Sequence, residues 1–431
     1  MDLLNNLKVR WDDANAPFLI SAHHTVSLND VLAADQFDLS IIQGGDVVAL
    51  IGDYNPRDIS ILLRLIDRKA IVVPLTAETK EQHQYFFEAA LVDFVIVGGE
   101  VSKRLHNEKN ALIEELRHKV HPGLVLFSTG TTGRPKAILH DLKYFMTRFE
   151  SPRPTLKTLN FLLFDHIGGL NTLFHTLFNK GTVVAPLSRS VESVLTMCRT
   201  HQVELLPATP TFLRLLLLSG VCAQDIPATL KIITYGTERM DQPTLDALCE
   251  LCPKIDFRQT FGMSELGILR VKSEARNSLF MRIGGEGVET RVDRGVLYIR
   301  SQSRMIGYLN ADNPFDNDGW YNTKDMVEVK GDFIKVVGRV SEVINVGGLK
   351  FMASEVERVA LQAPGVELAT AKGVDNPITG QHVELVVQIN SKANFPAGEI
   401  RAHFESRLPS HMIPRRIHVD KINVGHRFKK T

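Results

Sequence analysis

From residue 47 onward the chain repeats one unit, a short apolar run followed by an amphipathic stretch. VVALIG (47–52) precedes PRDISILLRLIDRK (56–69), AIVVPL (70–75) precedes ETKEQHQYFFEAAL (78–91), and DFVIVGG (93–99) follows. Runs this short and this apolar suit strands buried on both faces, and helices between them place those strands parallel in a covered sheet. The theme continues through LVLFST (124–129), TVVAP (182–186) and LKIITYG (230–236), so residues from about 45 to 265 read as α/β layers. After about residue 280 apolar and polar residues alternate in RIGGEGVETRVDRGVLYIRSQS and WYNTKDMVEVKGDFIKVVGR, with turn signals such as Lys330-Gly331-Asp332, which predicts antiparallel β-structure. Beyond Arg339 come a helix (354–363), two strands (366–374 and 382–390), a helix (398–408) and a last strand (415–420). The expected fold class is α/β: a large N-terminal domain of parallel-type layers with a β-rich part from about 280, spanning 1–338, then a small α+β domain over 339–431.

Composition narrows the function. With 50 basic against 49 acidic residues, the chain lacks the global basic field of a nucleic-acid-binding protein. Four cysteines are too few for a disulfide scaffold and suit a reducing compartment. The opening MDLLNNLKVRWDD has no apolar signal core, and no run approaches the ~20 apolar residues of a membrane span. A soluble, cytoplasmic protein is expected.

Ser128-Thr129-Gly130-Thr131-Thr132-Gly133-Arg134-Pro135-Lys136, directly after the LVLF run, makes a poor core and a good anion cradle. Glycines let backbone N–H groups approach phosphate oxygens, hydroxyls add donors, and Lys136 adds charge. GxxxxGK[ST] cannot be laid on it, so it is not a Walker loop. The structural alternative is a solvated turn between strands.

STGTTGRPK resembles the phosphate-loop signature of the adenylate-forming superfamily, which holds acyl- and aryl-CoA synthetases, adenylation domains of peptide synthetases and beetle luciferases. Further segments resemble that family in order and rough spacing. Gln259-Thr260-Phe261-Gly262-Met263-Ser264-Glu265 is similar to its YGxTE motif. The resemblance implies that the Phe261 ring stacks on adenine, Ser264 meets the α-phosphate region and Glu265 holds Mg²⁺. Asp318-Gly319-Trp320-Tyr321-Asn322-Thr323-Lys324-Asp325 resembles GW(Y/F)xTGD, whose Asp binds ribose, with Lys324 where the family has Gly. Gly338-Arg339-Val340-Ser341-Glu342 resembles the hinge: Arg339 reaches the ribose, Ser341 is the pivot, and Gly347, Gly348 and Lys350 belong to the loop lining the thiol channel. Tyr235-Gly236-Thr237-Glu238 falls where the family contacts adenine and the acyl pocket. At the C-terminus, counting from Ile422 as the Leu of LPxTxxGK places the catalytic Lys at 429, with Phe428 in place of Gly; taking Gly425-His426 as the GK pair makes the offset too short. Relative to most members, the segment ahead of the phosphate loop is abbreviated.

Phe164-Asp165-His166-Ile167-Gly168-Gly169-Leu170 admits two alignments. Amino-acid-activating domains carry Phe-Asp here, the Asp pairing an α-ammonium, whereas CoA synthetases carry HxxGL, the His lining the acyl pocket. From His166 to Gly181 is 15 residues, as in the CoA-synthetase pattern; from Asp165 it is 16, longer than the amino-acid pattern implies. The acid pocket is therefore expected to use His166, Gly168, Gly169 and Gly262 and to take a fatty or aryl acid without an α-ammonium.

Other signals read as structure. Cys249-Glu-Leu-Cys252 has no second pair and suits helix packing; GMSELG is one residue too long for a nucleophile elbow; His23-His24 suit the surface; FLRLLLLSG (212–220) suits a buried helix beside the acyl site. The resemblance thus implies an acid–thiol ligase using ATP and Mg²⁺. Thr131, Glu265 and Lys429 are in catalytic roles, and coenzyme A is the acceptor. Alternatives are a carrier-protein phosphopantetheine as acceptor, or a non-catalytic nucleotide-binding relative.

Overall fold

The computed structural model describes residues 2–21, 24–34, 37–128, 134–390, 397–423 and 425. The apolar runs form the centre of a seven-stranded sheet. Its order is Gly307–Tyr308, Ala137–Asp141, Gly123–Phe127, Ile71–Leu75, Val47–Ile51, Phe94–Val97, Glu100–Lys103. Its four central strands are parallel, as expected, while Ala137–Asp141 and Glu100–Lys103 run antiparallel as hairpin partners. Alternate side chains face opposite cores. Val48, Leu50, Val72 and Leu124 join a core with helices Pro56–Asp67 and Ile167–Phe178, whereas Val47, Ala49, Ile71 and Val73 meet Phe86, Ile113 and Leu116 on the other side.

A second seven-stranded sheet runs Asp256–Gln259, Ile232–Tyr235, Leu205–Ala208, Thr158–Leu159, Val183–Ala185, Pro17–Ser21, His24–Ser27, parallel except for the last pair. Helices Val191–Thr200, Pro210–Leu218 and Gln242–Leu251 pack against it. The Leu-rich run at 212–220 lies mainly in the second of these and buries Phe212, Leu213 and Leu216. Cys249 sits at the end of the third and Cys252 caps it, buried; burial pushes the Cys252 thiol up to about 11, the behaviour of packing rather than reactive sulfur. The strands at 17–27 escape sequence reading because Pro17–Ser21 pairs with Val183–Ala185, far along the chain.

The antiparallel sheet begins at Phe261–Met263, earlier than residue 280, because its first hairpin lies within the GMSELG turn; it ends at Phe333–Arg339. The fourth sheet has five strands between Val343 and Val419 and its own core of Ile344, Val356, Leu385, Val387 and Phe404. Its first hairpin, Val343–Val346 with Leu349–Met352, was not expected. Its polar contacts with the large body, among the described residues, include Arg214 donating to the Glu367 carbonyl (2.6 Å), Arg239 pairing with Glu357 (3.3 Å), and Ser354 donating to the Val337 carbonyl (2.7 Å). No described helix is long and apolar enough to cross a membrane.

Helix Ile167–Phe178 is wedged between the two parallel sheets, and glycine is what lets it enter. A Cβ at Gly169 would fall 2.1 Å from the Leu163 carbonyl and 2.3 Å from the Tyr54 hydroxyl. Both obstacles are fixed: Tyr54 is buried and one is backbone. Gly169→Ala is expected to destabilise the large body by about 1–3 kcal/mol or more through overpacking. A urea midpoint unchanged from that of the parent chain would contradict this close approach.

Candidate active site

One cavity of about 490 Å³ opens where the two parallel sheets, the antiparallel sheet and Arg339 meet. The neck of the phosphate loop is at its mouth. Strands Gly123–Phe127 and Ala137–Asp141 are antiparallel, and the loop is closed at its base by reciprocal bonds: the Ser128 N–H donates to the Lys136 carbonyl (3.1 Å), and the Lys136 N–H to Ser128 Oγ (3.0 Å). Ser128 and Lys136, the two ends of this segment, both line the cavity. Tyr85 and Asn310 both donate to the Pro135 carbonyl, at 2.6 and 3.2 Å, fixing the neck from outside. Neither residue was singled out in the sequence, since each comes from a remote segment. The Lys136 ammonium lies 4.6 Å from the Tyr308 ring centroid. Thr129, Gly130, Thr131, Thr132, Gly133 and Lys429 lie outside the described residues.

Glu265 and Ser264 line the cavity opposite this neck. The Tyr308 hydroxyl donates to Glu265 Oε1 (2.9 Å), and the Met305 N–H donates to the Glu265 carbonyl (2.8 Å). Burial, reinforced by the Glu265 carboxylate, pushes the phenols of Tyr308 and Tyr321 far above their ordinary range, so both stay neutral donors. Ser264 is held through its backbone: its carbonyl accepts from His140 Nε2 at 2.5 Å. Burial pulls that imidazole down to about 4, so it is a neutral donor at any physiological pH. His140 follows the phosphate loop on Ala137–Asp141; a histidine directly after the apolar run Ala137–Leu139 is the sequence signal for it.

Asp325 and Arg339 face each other across the hairpin Tyr321–Lys330/Phe333–Arg339, with Arg339 Nε 3.3 Å from Asp325 Oδ1. Arg339 lines the cavity; Asp325 is buried beside it, its N–H donating to Thr323 Oγ1 (3.0 Å). Burial raises the Asp325 carboxyl to about 6, against the opposing pull of Arg339. Lys324, in the family's glycine position, keeps a glycine-like backbone at φ 59° and lines the cavity. Thr237 does the same at φ 70°, its hydroxyl buried without a hydrogen-bond partner among the described residues. A β-branched residue in that region is strained, and both strained residues sit on the cavity wall.

Of the remaining expected site residues, Gly236, Thr260, Gly262, His166 and Gly168 line the cavity. Thr260 donates to the Tyr235 carbonyl (3.1 Å) and leaves no room for a Cβ at Gly236 (2.1 Å from Thr260 Oγ1). His166 caps helix Ile167–Phe178, its Nδ1 accepting from the Gly168 N–H (3.0 Å); it is both a backbone partner and part of the wall. Tyr235 lies in the core, Glu238 accepts from Thr211 (2.7 Å), Gly169 packs the first turn of its helix against Leu163 and Tyr54, and Phe261 rests against the core beneath the antiparallel sheet; none of these four lines the cavity. Ser341, Gly347, Gly348 and Lys350 are exposed and outside it as well. Among the described residues, no group of three or more His, Cys, Asp or Glu side chains converges on a metal position.

Two outcomes follow from the buried charge and the strained backbone. A carboxyl raised from 3.8 to about 6 on folding binds its proton more tightly in the folded chain, so it costs stability as pH rises from about 4 to 6, by up to about 3 kcal/mol. Asp325→Asn is therefore expected to raise the melting temperature of the protein without added ligand at about pH 7.5 and less so at about pH 5. A loss of stability at both values would refute the burial penalty. Lys324→Gly is expected to stabilise the chain by about 1 kcal/mol, since the left-handed region costs lysine about that much; an unchanged or lower midpoint in urea would speak against strain there.

The sequence model of the family described as AMP-binding enzyme matches residues 39–309. A 2-succinylbenzoate–CoA ligase of Staphylococcus epidermidis is 24% identical over 312 residues, 68% of this chain and 64% of that one. A medium/long-chain-fatty-acid–[acyl-carrier-protein] ligase of Mycobacterium tuberculosis is 26% identical over 325 residues, 65% of this chain and 59% of that one. The chain thus spans somewhat under two thirds of the length of these curated relatives. In fold, it resembles the o-succinylbenzoate CoA synthetase of Bacillus subtilis solved with its acyl-adenylate intermediate, with a TM-score of 0.78 at 20% identity, covering 100% of this chain and 96% of that one. The fold class expected from sequence, α/β layers with a β-rich part and a small C-terminal α+β unit, is the one observed.

Proposed function

We propose, because this chain belongs to the AMP-binding enzyme family, that it joins a small carboxylic acid to a thiol through an acyl-adenylate, with coenzyme A as acceptor. The observation that carries this reading is one cavity whose wall joins the phosphate-loop neck, Glu265 and Arg339, the last paired with the buried Asp325, to a helix face on which the described residues carry no carboxylate.

A carboxylate is a poor electrophile, so it is first made into a mixed anhydride. Its oxygen attacks the α-phosphorus of ATP, the bond from that phosphorus to the bridging oxygen breaks, and pyrophosphate leaves. The chain's contribution is positioning and charge. Asp325 and Arg339 hold the ribose, the loop at 128–136 with Lys136 receives the departing phosphates, and Ser264 faces the α-phosphate. Glu265 would hold Mg²⁺: its carboxylate faces the cavity, and a lone carboxylate suits an ion that takes few protein ligands. When bound, that ion neutralises charge on the leaving pyrophosphate. Lys429 supplies a cation to the transition state. In the second step thiol sulfur attacks the acyl carbon and AMP leaves with the former carboxylate oxygen. For this step residues 339–431 rotate about Ser341, bringing Gly347, Gly348 and Lys350, now exposed, to the thiol channel. The relative that loads an acyl-carrier protein supports phosphopantetheine as the alternative acceptor. Four unpaired thiols support a cytoplasmic setting.

Pyrophosphate release across a panel of acids tests the reading. Lys429→Ala is expected to slow acyl-AMP formation by orders of magnitude, as loss of a transition-state charge partner does, and to spare thioester formation from supplied acyl-AMP. Damage from Lys430→Ala in its place would shift the register by one. Free amino acids are expected to be poor substrates, because Glu265, at the nucleotide end, is the only acidic residue on the described cavity wall and an unpaired ammonium is costly to bury. Amino-acid-dependent exchange that exceeds every simple acid would overturn that part.

A further inference from the structure

The blind end of the cavity is more polar than an unsubstituted hydrocarbon tail needs. Helix Ile167–Phe178 buries Ile167, Leu170, Leu173, Phe174, Leu177 and Phe178 in the core, yet turns Asn171, Thr172, His175 and Thr176 to the cavity. The spacing of 171 to 175 and 172 to 176 makes these one polar stripe along the helix. Thr234 adds a hydroxyl from the strand Ile232–Tyr235.

Two of these groups lack a partner. Thr176 is fully buried, and its hydroxyl has no hydrogen-bond partner among the described residues. The Asn179 amide donates to His175 Nδ1 (3.3 Å), which puts the proton of the neutral ring on Nε2, a donor with no partner among the described residues. Thr172 is satisfied by the Gly168 carbonyl (2.8 Å). A polar group buried without a partner is rare and expensive, so the Thr176 hydroxyl facing a ligand cavity, with the half-buried His175 and Asn171 beside it, points to what the ligand carries.

Arginines stand behind this wall. The Arg153 N–H donates to Oδ1 of Asn179 (2.7 Å), the residue hydrogen-bonded to His175, and Arg148 donates to the carbonyl of the wall residue Ile268 (2.9 Å), with Arg270 two residues on in the same strand. None of the three arginines forms an ion pair among the described residues. Burial, and then Arg153, holds His175 below its usual range. A basic neighbourhood with neutral donors on the wall favours an anionic oxygen group, and a cavity of about 490 Å³ that also has to take the nucleotide favours a short acid.

We infer that the acid is short and carries a second anionic group, a carboxylate or a sulfonate, at its far end, received by His175, Asn171 and Thr176. This rests on reading the cavity as an acid-activating site, and it narrows the fatty or aryl acid expected above to one with two acidic ends.

Matched pairs test it: butanoate with butanedioate and 3-sulfopropanoate, hexanoate with hexanedioate, benzoate with the benzenedicarboxylates. Pyrophosphate release with each acid gives kcat/KM. At least one two-ended acid is expected to exceed its one-ended partner by about tenfold or more, as sites built to hydrogen-bond a substrate group reject analogues lacking it. His175→Leu and, separately, Asn171→Leu are expected to cut that ratio to near unity. The ratio is read within one protein sample, so partial misfolding of a variant does not move it. If every one-ended acid matches or exceeds its partner, the inference is overturned and the ligase reading stands. If the ratio survives both variants, the second group binds elsewhere and the assignment of the stripe falls. If no acid releases pyrophosphate while the protein still binds ATP, the ligase reading fails and takes the inference with it.

Discussion

The cavity exists because one strap ties the antiparallel sheet to the phosphate-loop sheet. Residues 305–310 leave the former and run beside Ala137–Asp141: the Ile306 N–H donates to Leu139 (2.7 Å), the Leu309 N–H to Ala137 (2.9 Å), and Asn310 Oδ1 accepts from the Ala137 N–H (2.9 Å). The same strap touches Glu265 twice, through the Met305 N–H and the Tyr308 hydroxyl. His140 crosses from the other side to the Ser264 carbonyl. Acceptor carboxylate and phosphate-loop neck are therefore fixed to one frame, and a shift in either sheet would move both. For the reaction proposed above, such a frame is what electrostatic preorganisation requires: Lys136, Glu265 and the Asp325–Arg339 pair hold their places without a ligand.

Local signals made the centre of the molecule legible. Strands at 47–51, 71–75 and 94–97 announce themselves because both faces are buried, and the loop at 128–136 because its hydroxyls, glycines and cations suit no core. What stayed hidden depends on distant partners. Pro17–Ser21 is a strand only because Val183–Ala185 lies beside it, and His140, Tyr85 and Asn310 matter only through contacts from remote segments. The motifs do not tell where each side chain sits: Tyr235, Glu238 and Phe261 stand in matching segments, and here the first is core, the second accepts from Thr211 and the third rests against the core beneath the antiparallel sheet. A motif fixes the path of the backbone more firmly than the direction of every side chain on it.

Lys324 shows how backbone and side chain separate. In the family pattern that position is glycine, and here the left-handed backbone persists with a lysine on it. The conformation is set from outside, by the Lys324 N–H donating to Asn322 Oδ1 (2.9 Å) and by the register of Asp325 against Arg339. Had the backbone relaxed to suit lysine, Asp325 would have left its partner. The hairpin register therefore outweighs about 1–2 kcal/mol of local strain.

The contrast between the two ends of the fold bears on motion. Helix Ile167–Phe178 is locked between two sheets by a glycine contact too tight for one methyl group, whereas the small sheet touches the large body through polar links such as Arg214 to Glu367 and Arg239 to Glu357. Polar contacts at a partly solvated surface exchange readily for water, because each is worth little net. A packed apolar seam would lose all its contacts at once on sliding. If the rotation proposed above takes place, it exchanges bonds of this kind and leaves the helix, with the cavity wall it carries, in place.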